Sequence, residues 1–293
     1  MDPERSSADS SPKQPPRFPW GTVAVLVALM GWLMLSGYVV FPLLVLGGLA
    51  LFLSGVFYLY VPLGLRRTFW QSPRPAIRAI EPGAVDWPGL AEAYAAATTA
   101  FARLGFVDRG GFLAEEVNSS GGAFVAIYED RAGRTLAKWF QALTPKKAVG
   151  PVVGFTTRFV DGSEYVTSNN PLSGLYPVPG FRKGLAFPGV DDPARLLALH
   201  RRGLAEAGEF SSRLEATGGD PLADLRDLMA REQAQQVASG YSRLDEASGL
   251  YRLTLKGAYL IAVKQLWPWG PIRRAIRRRR VARKLREWES TPA

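Results

Sequence analysis

His200 is the only histidine in the chain, and there is no cysteine. A lone imidazole acts as general base or pH switch when an acid or hydroxyl is held beside it. It lies in ARLLALHRRGLAEAG, a helical pattern, and no motif sets a serine or an acid next to it. That context favours a packing or surface role. No HxxxH, CxxC or HExxH spacing is present, so neither a zinc site nor any other cofactor is expected. Paired acids occur at Glu115-Glu116 and Asp191-Asp192. Neighbours on a strand point to opposite faces, which disqualifies the first pair as an acid/base dyad. Asp192 before Pro193 reads as a helix cap. Ser119-Ser120-Gly121-Gly122 has the composition of an anion nest, but between two strands it reads as a hairpin loop. GxxxxGK[ST], GxGxxG and GxSxG patterns are absent, which weighs against nucleotide binding and hydrolysis. An enzyme built on this chain would draw its polar groups from Asp161, Asn169, Asn170 and His200, with the 169–190 segment as a lid.

The basic residues offer a different chemistry. The formal net charge is +10, and residues 252–293 hold 12 of the 36 Lys and Arg against 2 of the 26 acids. Residues 1–251 are therefore balanced, and the basic character belongs to the tail. Nine cations follow Trp267-Pro268-Trp269: Arg273, Arg274, Arg277, Arg278, Arg279, Arg280, Arg283, Lys284 and Arg286. Near an anionic leaflet each contributes about 1 kcal/mol, and the two indoles suit the headgroup level. Anionic lipid is the expected partner, with a protein partner compatible and nucleic acid disfavoured. The apolar residues of this tail split, with Ile272, Ala275 and Ile276 on one side and Val281, Leu285 and Trp288 on the other.

These groups must be carried by a membrane-held chain. From Phe18 to Leu65 there is no charged side chain, and Arg66-Arg67 close the run. A hydrocarbon core of about 30 Å takes roughly 20 helical residues, so the run predicts two spans, near 20–36 and 41–61, turning at Ser36–Pro42. Ala24, Ala28 and Gly31 on the first, and Gly47, Ala50 and Ser54 on the second, form small-residue stripes suited to close packing in lipid. The Ser- and Pro-rich leader 1–19 should be disordered. Lys13, Arg17, Arg66, Arg67, Arg74 and Arg78 flank the hairpin and none lies in its turn. This predicts a bacterial-type inner membrane protein with both termini and the soluble domain in the cytoplasm.

After a juxtamembrane linker at 62–84, residues 85–255 are long enough for one compact α+β domain. Leu90, Tyr94, Ala97, Phe101 and Leu104 mark a helix closed by Gly105. Strand patterns follow at 112–117, 123–129, 135–143, 152–160 and 164–168, joined by turns such as Asp161-Gly162, which predicts an antiparallel β-meander with flanking helices. The segment 169–190 carries four prolines and four glycines and reads as a lid or a packed wrap. Asp192-Pro193 and Asp220-Pro221 open two helices, and residues 241–255 form a hairpin. LYRLTLKGAYLI, through Tyr251, Leu253, Thr254, Lys256 and Gly257, resembles the wing and final-helix entry of winged-helix DNA-binding domains. That resemblance would imply a membrane-tethered nucleic-acid binder, although the helix at 221–239 has no helix-turn-helix partner before it. Residues 256–293 complete the chain as an interfacial helix and polybasic tail. The combined expectation is an α+β cytoplasmic domain plus an N-terminal two-helix transmembrane hairpin, acting as a membrane-anchored noncatalytic interaction module.

Overall fold

A computed structural model of the chain describes residues 20–35, 40–73, 75–118, 121–132, 134–143, 150–207, 219–266 and 268–290. The leader 1–19, the 36–39 turn, Arg74, Ser119, Ser120 and Trp267 lie outside the described residues. The chain divides into two compact units, residues 1–57 and 58–293. The first holds α1 (Trp20–Leu35) and most of α2 (Val40–Thr68). Within α2, Leu43–Thr68 is long and apolar enough to cross a membrane, and none of its most apolar window is buried in protein. The 16 residues of α1 rise about 24 Å, short of a hydrocarbon core of about 30 Å, so one candidate span is shown and not a two-helix hairpin. The second helix also runs seven residues past its expected end at 61, because Gly64 to Thr68 keep helical bonding, including Thr68 Oγ1 donating to Gly64 O at 2.9 Å.

The second unit is a mixed α/β fold on one long sheet. Its strands are β1 (Trp70–Gln71), β2 (Ala76–Ala79), β3 (Phe106–Asn118), β4 (Gly121–Asp130), β5 (Thr135–Leu143), β6 (Val152–Arg158), β7 (Glu164–Ser168), β8 (Arg182–Ala186), β9 (Ser242–Asp245) and β10 (Leu250–Leu253). Their spatial order is β8-β7-β6-β5-β4-β3-β1-β10-β9, with β2 also on β3. The expected meander is β3 to β7, antiparallel throughout. Three strands lie where none was expected. β1 and β2 fall in the 62–84 stretch read as a linker, and β8 falls in the wrap and joins β7 in parallel. β8 carries RKGLA with no alternation, and Gly184 at φ 149 is required there because a Cβ would overlap the Val166 backbone.

Among the described residues, five α-helices complete the unit: α3 (Leu90–Arg103), α4 (Pro193–Glu206), α5 (Pro221–Ala238), α6 (Leu255–Gln265) and α7 (Trp269–Ser290), with a short 3-10 turn at Pro82–Ala84. Asp192 caps α4 by accepting from Ala194 N and Arg195 N at 3.1 and 3.3 Å, and Asp220 caps α5 by accepting from Leu222 N at 3.0 Å. One sheet face buries Phe124, Ala126, Tyr128, Trp139 and Phe155 against α3, α4 and Trp288 of α7. The alternate residues Val125, Ile127 and Leu136 face Leu225 of α5. A third cluster joins Tyr241, Leu253, Ala258 and Ile261 to Leu65, Phe69 and Tyr176.

Candidate functional site

The four polar residues singled out from the sequence each serve the fold separately. His200 is fully buried, with Nε2 bonded to Thr157 Oγ1 at 2.9 Å and Nδ1 to Thr167 Oγ1 at 3.1 Å. Its ring sits 5.9 Å from that of Phe155 and 5.6 Å from that of Tyr165. Burial, then the nearby Arg201, lowers its pKa to about 3, so at neutral pH it is an uncharged bridge between β6 and β7. Asn169 is also buried, accepting from Val153 N at 2.7 Å and donating to Asp191 at 3.2 Å. Asp161 holds its own turn through Ser163 N and Oγ at 2.9 and 2.6 Å, and Asn170 accepts from Leu172 N at 2.8 Å. These are the bonds of strands and turns, and they leave no shared set of free groups. Among the described residues no cluster of three or more His, Asp or Glu could hold a metal ion.

The supposed lid is pinned. Lys264 of α6 donates to Leu175 O at 2.7 Å, and Arg277 of α7 donates to Ser173 O and Pro171 O, each at 2.7 Å. Three carbonyls of the wrap are thus held by cations from the tail. Each bond involves a charged donor, the stronger class of protein hydrogen bond.

The tail itself is built into the domain. Trp288 is buried, and its ring lies 5.8 Å from that of Phe187. Its Nε1 donates to Glu206 Oε1, and Arg202 donates to its carbonyl. Lys284 pairs with Glu206 at 2.8 Å and with Glu287 at 3.1 Å, and sits 4.9 Å from the centre of the Trp288 ring. Hydrogen bonding to Lys284 draws the Glu206 carboxyl below its usual range, and the bond to Glu206 raises the Lys284 ammonium. Val281 and Leu285 pack on the same core. The face predicted to oppose Ile272 and Ile276 is therefore the one that docks. Of the nine cations, Arg277 and Lys284 are turned inward, while Arg273, Arg274, Arg278, Arg279, Arg280, Arg283 and Arg286 stay exposed. Trp269 is exposed beside them.

Sequence reading overlooked a charged layer under α5. Glu164, 1% exposed, meets Arg231 at 2.9 Å, Arg182 at 3.2 Å and Arg158 at 3.7 Å. Arg182 reaches on to Glu232 at 2.5 Å, and Arg158 to Asp224 at 3.2 Å. A buried carboxylate survives only with such partners, and here they tie α5 to the sheet. Beside them Arg109, Glu129, Lys138, Arg158 and Asp224 line a recess with room for about one water. Burial lowers the Lys138 pKa to about 8. The recess is too small for a substrate, and the layer acts as a clasp. The signal available in the sequence was Glu164 and Arg158 at strand ends, where charge normally reads as solvated.

The winged-helix-like segment has a local explanation. Thr254 accepts from Gly257 N at 2.9 Å as the α6 cap and donates to Gly240 O at 2.6 Å. Gly257 lies against the Tyr241 backbone, where a Cβ would overlap it. No protein-family model, no curated protein and no solved structure matches the chain.

Proposed function

We propose that the protein is a membrane-anchored, noncatalytic interaction module whose α7 arginines contact anionic lipid. In this reading α1 and α2 form a hairpin, and both termini and the sheet domain lie in the cytoplasm. The observation that carries it is the docking of α7. Trp288, Val281 and Leu285 pack one side of the helix on the domain core, and seven arginines of the same helix remain exposed around the rest of it. Each basic residue contributes about 1 kcal/mol near an anionic leaflet, and the attraction decays within a Debye length of about 10 Å at 0.1 M salt. A helix already held beside its membrane needs little more to stay against it.

The full chain in lipid nanodiscs tests this, with Ala282→Cys carrying an environment-sensitive dye as the only thiol. Discs containing phosphatidylserine should shift the dye, and phosphatidylcholine discs should not. Salt at 1 M, where the Debye length is about 3 Å, should abolish the shift, as should the combined change of Arg273, Arg279, Arg280 and Arg283 to Gln. Equal signals in both discs overturn the lipid contact. Sequence-dependent binding of duplex DNA without lipid preference would assign the arginines to nucleic acid. Thiol labelling of Ser10→Cys and Thr291→Cys from outside intact cells should fail at both positions, and labelling at either refutes the hairpin.

A further inference from the structure

The charge of α7 works against its docking. Its acids, Glu287 and Glu289, both lie at its end, so residues 269–286 carry cations alone. Arg273 and Arg277, Arg274 and Arg278, Arg279 and Arg283, and Arg280 and Lys284 are each four residues apart, where like charges are neighbours and destabilise a helix. Against this repulsion stand Val281, Leu285 and Trp288 in the core, Lys284 on Glu206, and Arg277 on the wrap. Arg277 feels both sides. It donates to Ser173 O and Pro171 O, while burial, then the repulsion of Arg273 and Arg274, draws it below the usual guanidinium range.

Arg279, Arg283 and Arg286 follow one another by four and three residues and are all exposed. At 3.6 residues per turn they share the side of the helix opposite Trp288, nine residues from Arg279. Guanidinium forks in such a row suit an anion with several oxygens, and phosphate matches their planar geometry. An anion there offsets the repulsion in the docked helix. In the released tail the charges spread apart and less is gained.

We propose that a phosphate-bearing anion on Arg279, Arg283 and Arg286 is coupled to the docking of α7, so that binding on the outer side tightens the seal of Trp288 and the hold of Arg277 on the wrap. The inference rests on the reading of these arginines as an anionic contact and adds to it a conformational consequence inside the sheet domain. The phosphate is that of a lipid headgroup or a free one. The coupling is reciprocal, so the docked helix binds the anion more tightly than the released tail does.

Hydrogen exchange of the full protein in phosphatidylcholine nanodiscs tests this, read at the amides of residues 281–285 and at Ser173 and Leu175, whose N–H groups bond within the wrap. Inorganic tripolyphosphate at about ten times its Kd should slow the α7 amides about tenfold, the factor 1 + [L]/Kd, and the wrap amides with them. The combined change Arg279→Gln, Arg283→Gln and Arg286→Gln should remove the response while keeping the helix, since Gln is nearly as good a helix former as Arg. A response that survives in this variant overturns the site. Equal slowing by sodium chloride at matched ionic strength overturns it too, because screening alone would then suffice. Phosphatidylserine discs without tripolyphosphate separate the sources. Slowing there names the headgroup, and no slowing, with the tripolyphosphate response intact, names a free phosphate. If neither source slows exchange the coupling falls, and the Ala282→Cys dye signal decides separately whether the lipid contact stands.

Discussion

Protonating His200 would place a positive charge between two threonine hydroxyls in a packed interior, with Arg201 adding repulsion. Its folded pKa of about 3 lies below the ordinary 6.5. Above pH 6.5 neither state binds the proton and there is no penalty. As pH falls, the unfolded chain gains a proton that the folded chain refuses, so stability is lost between 6.5 and about 3. Between pH 6.5 and 5, before most carboxylates titrate, the slope of this loss rises from about 0.7 toward about 1.4 kcal/mol per pH unit. Thermal melts of the full protein should drop over that window, and a His200→Gln variant should show a flatter dependence. Parallel slopes in the two proteins would refute the assignment. The sequence favoured a packing or surface role for His200, since no motif set an acid or nucleophile beside it, and the structure buries the ring between two threonines. Thr157 and Thr167 were not legible as its partners, because strand pairing across β6 and β7 brings them together. Glu164 was missed for the same reason: its three arginines come from β6, β8 and α5.

Elements whose ends are written in local chemistry were legible, and those held by distant partners were not. Asp192-Pro193 and Asp220-Pro221 placed α4 and α5 almost to the residue, since a cap and its helix are neighbours in sequence. β8, with two residues of strand character at most, exists because β7 offers it an edge and Glu164 binds Arg182. The tail was read as a surface helix because its charge dominates its composition. The decisive residue, Trp288, is defined by Phe187, Arg202 and Glu206. Changing Trp288 to Ala should therefore destabilise the domain by about 3–5 kcal/mol, the range for a buried aromatic. It should also free α7, seen as faster amide exchange across Val281–Ser290. A loss below about 1 kcal/mol in denaturant unfolding would show that α7 is not part of the core.

At the scale of the molecule, the boundaries of the folding unit differ from those suggested by composition. The fragment 85–255 would lack β1, β2, α6 and α7, and with them Ile77, Ala258, Ile261 and Trp288 of the three buried clusters. It should be expanded and non-cooperative, while a fragment spanning 66–290 should give a single melting transition; calorimetry of both checks this. A sharp transition from 85–255 would disprove the shared core. The same closure governs the order of synthesis. β1, at residues 70–71, waits for β10, at residues 250–253, to be made before it gains its second neighbour. Trp288 follows the end of β10 by a further 35 residues. Synthesis therefore completes β3 to β7 long before β1 gains β10, and the sheet stays unfinished until residue 253 is made. Long-range closure of this kind is slow. A chain stopped before residue 250 would therefore leave β1 without its β10 neighbour and expose an unpaired edge, besides lacking α6 and α7.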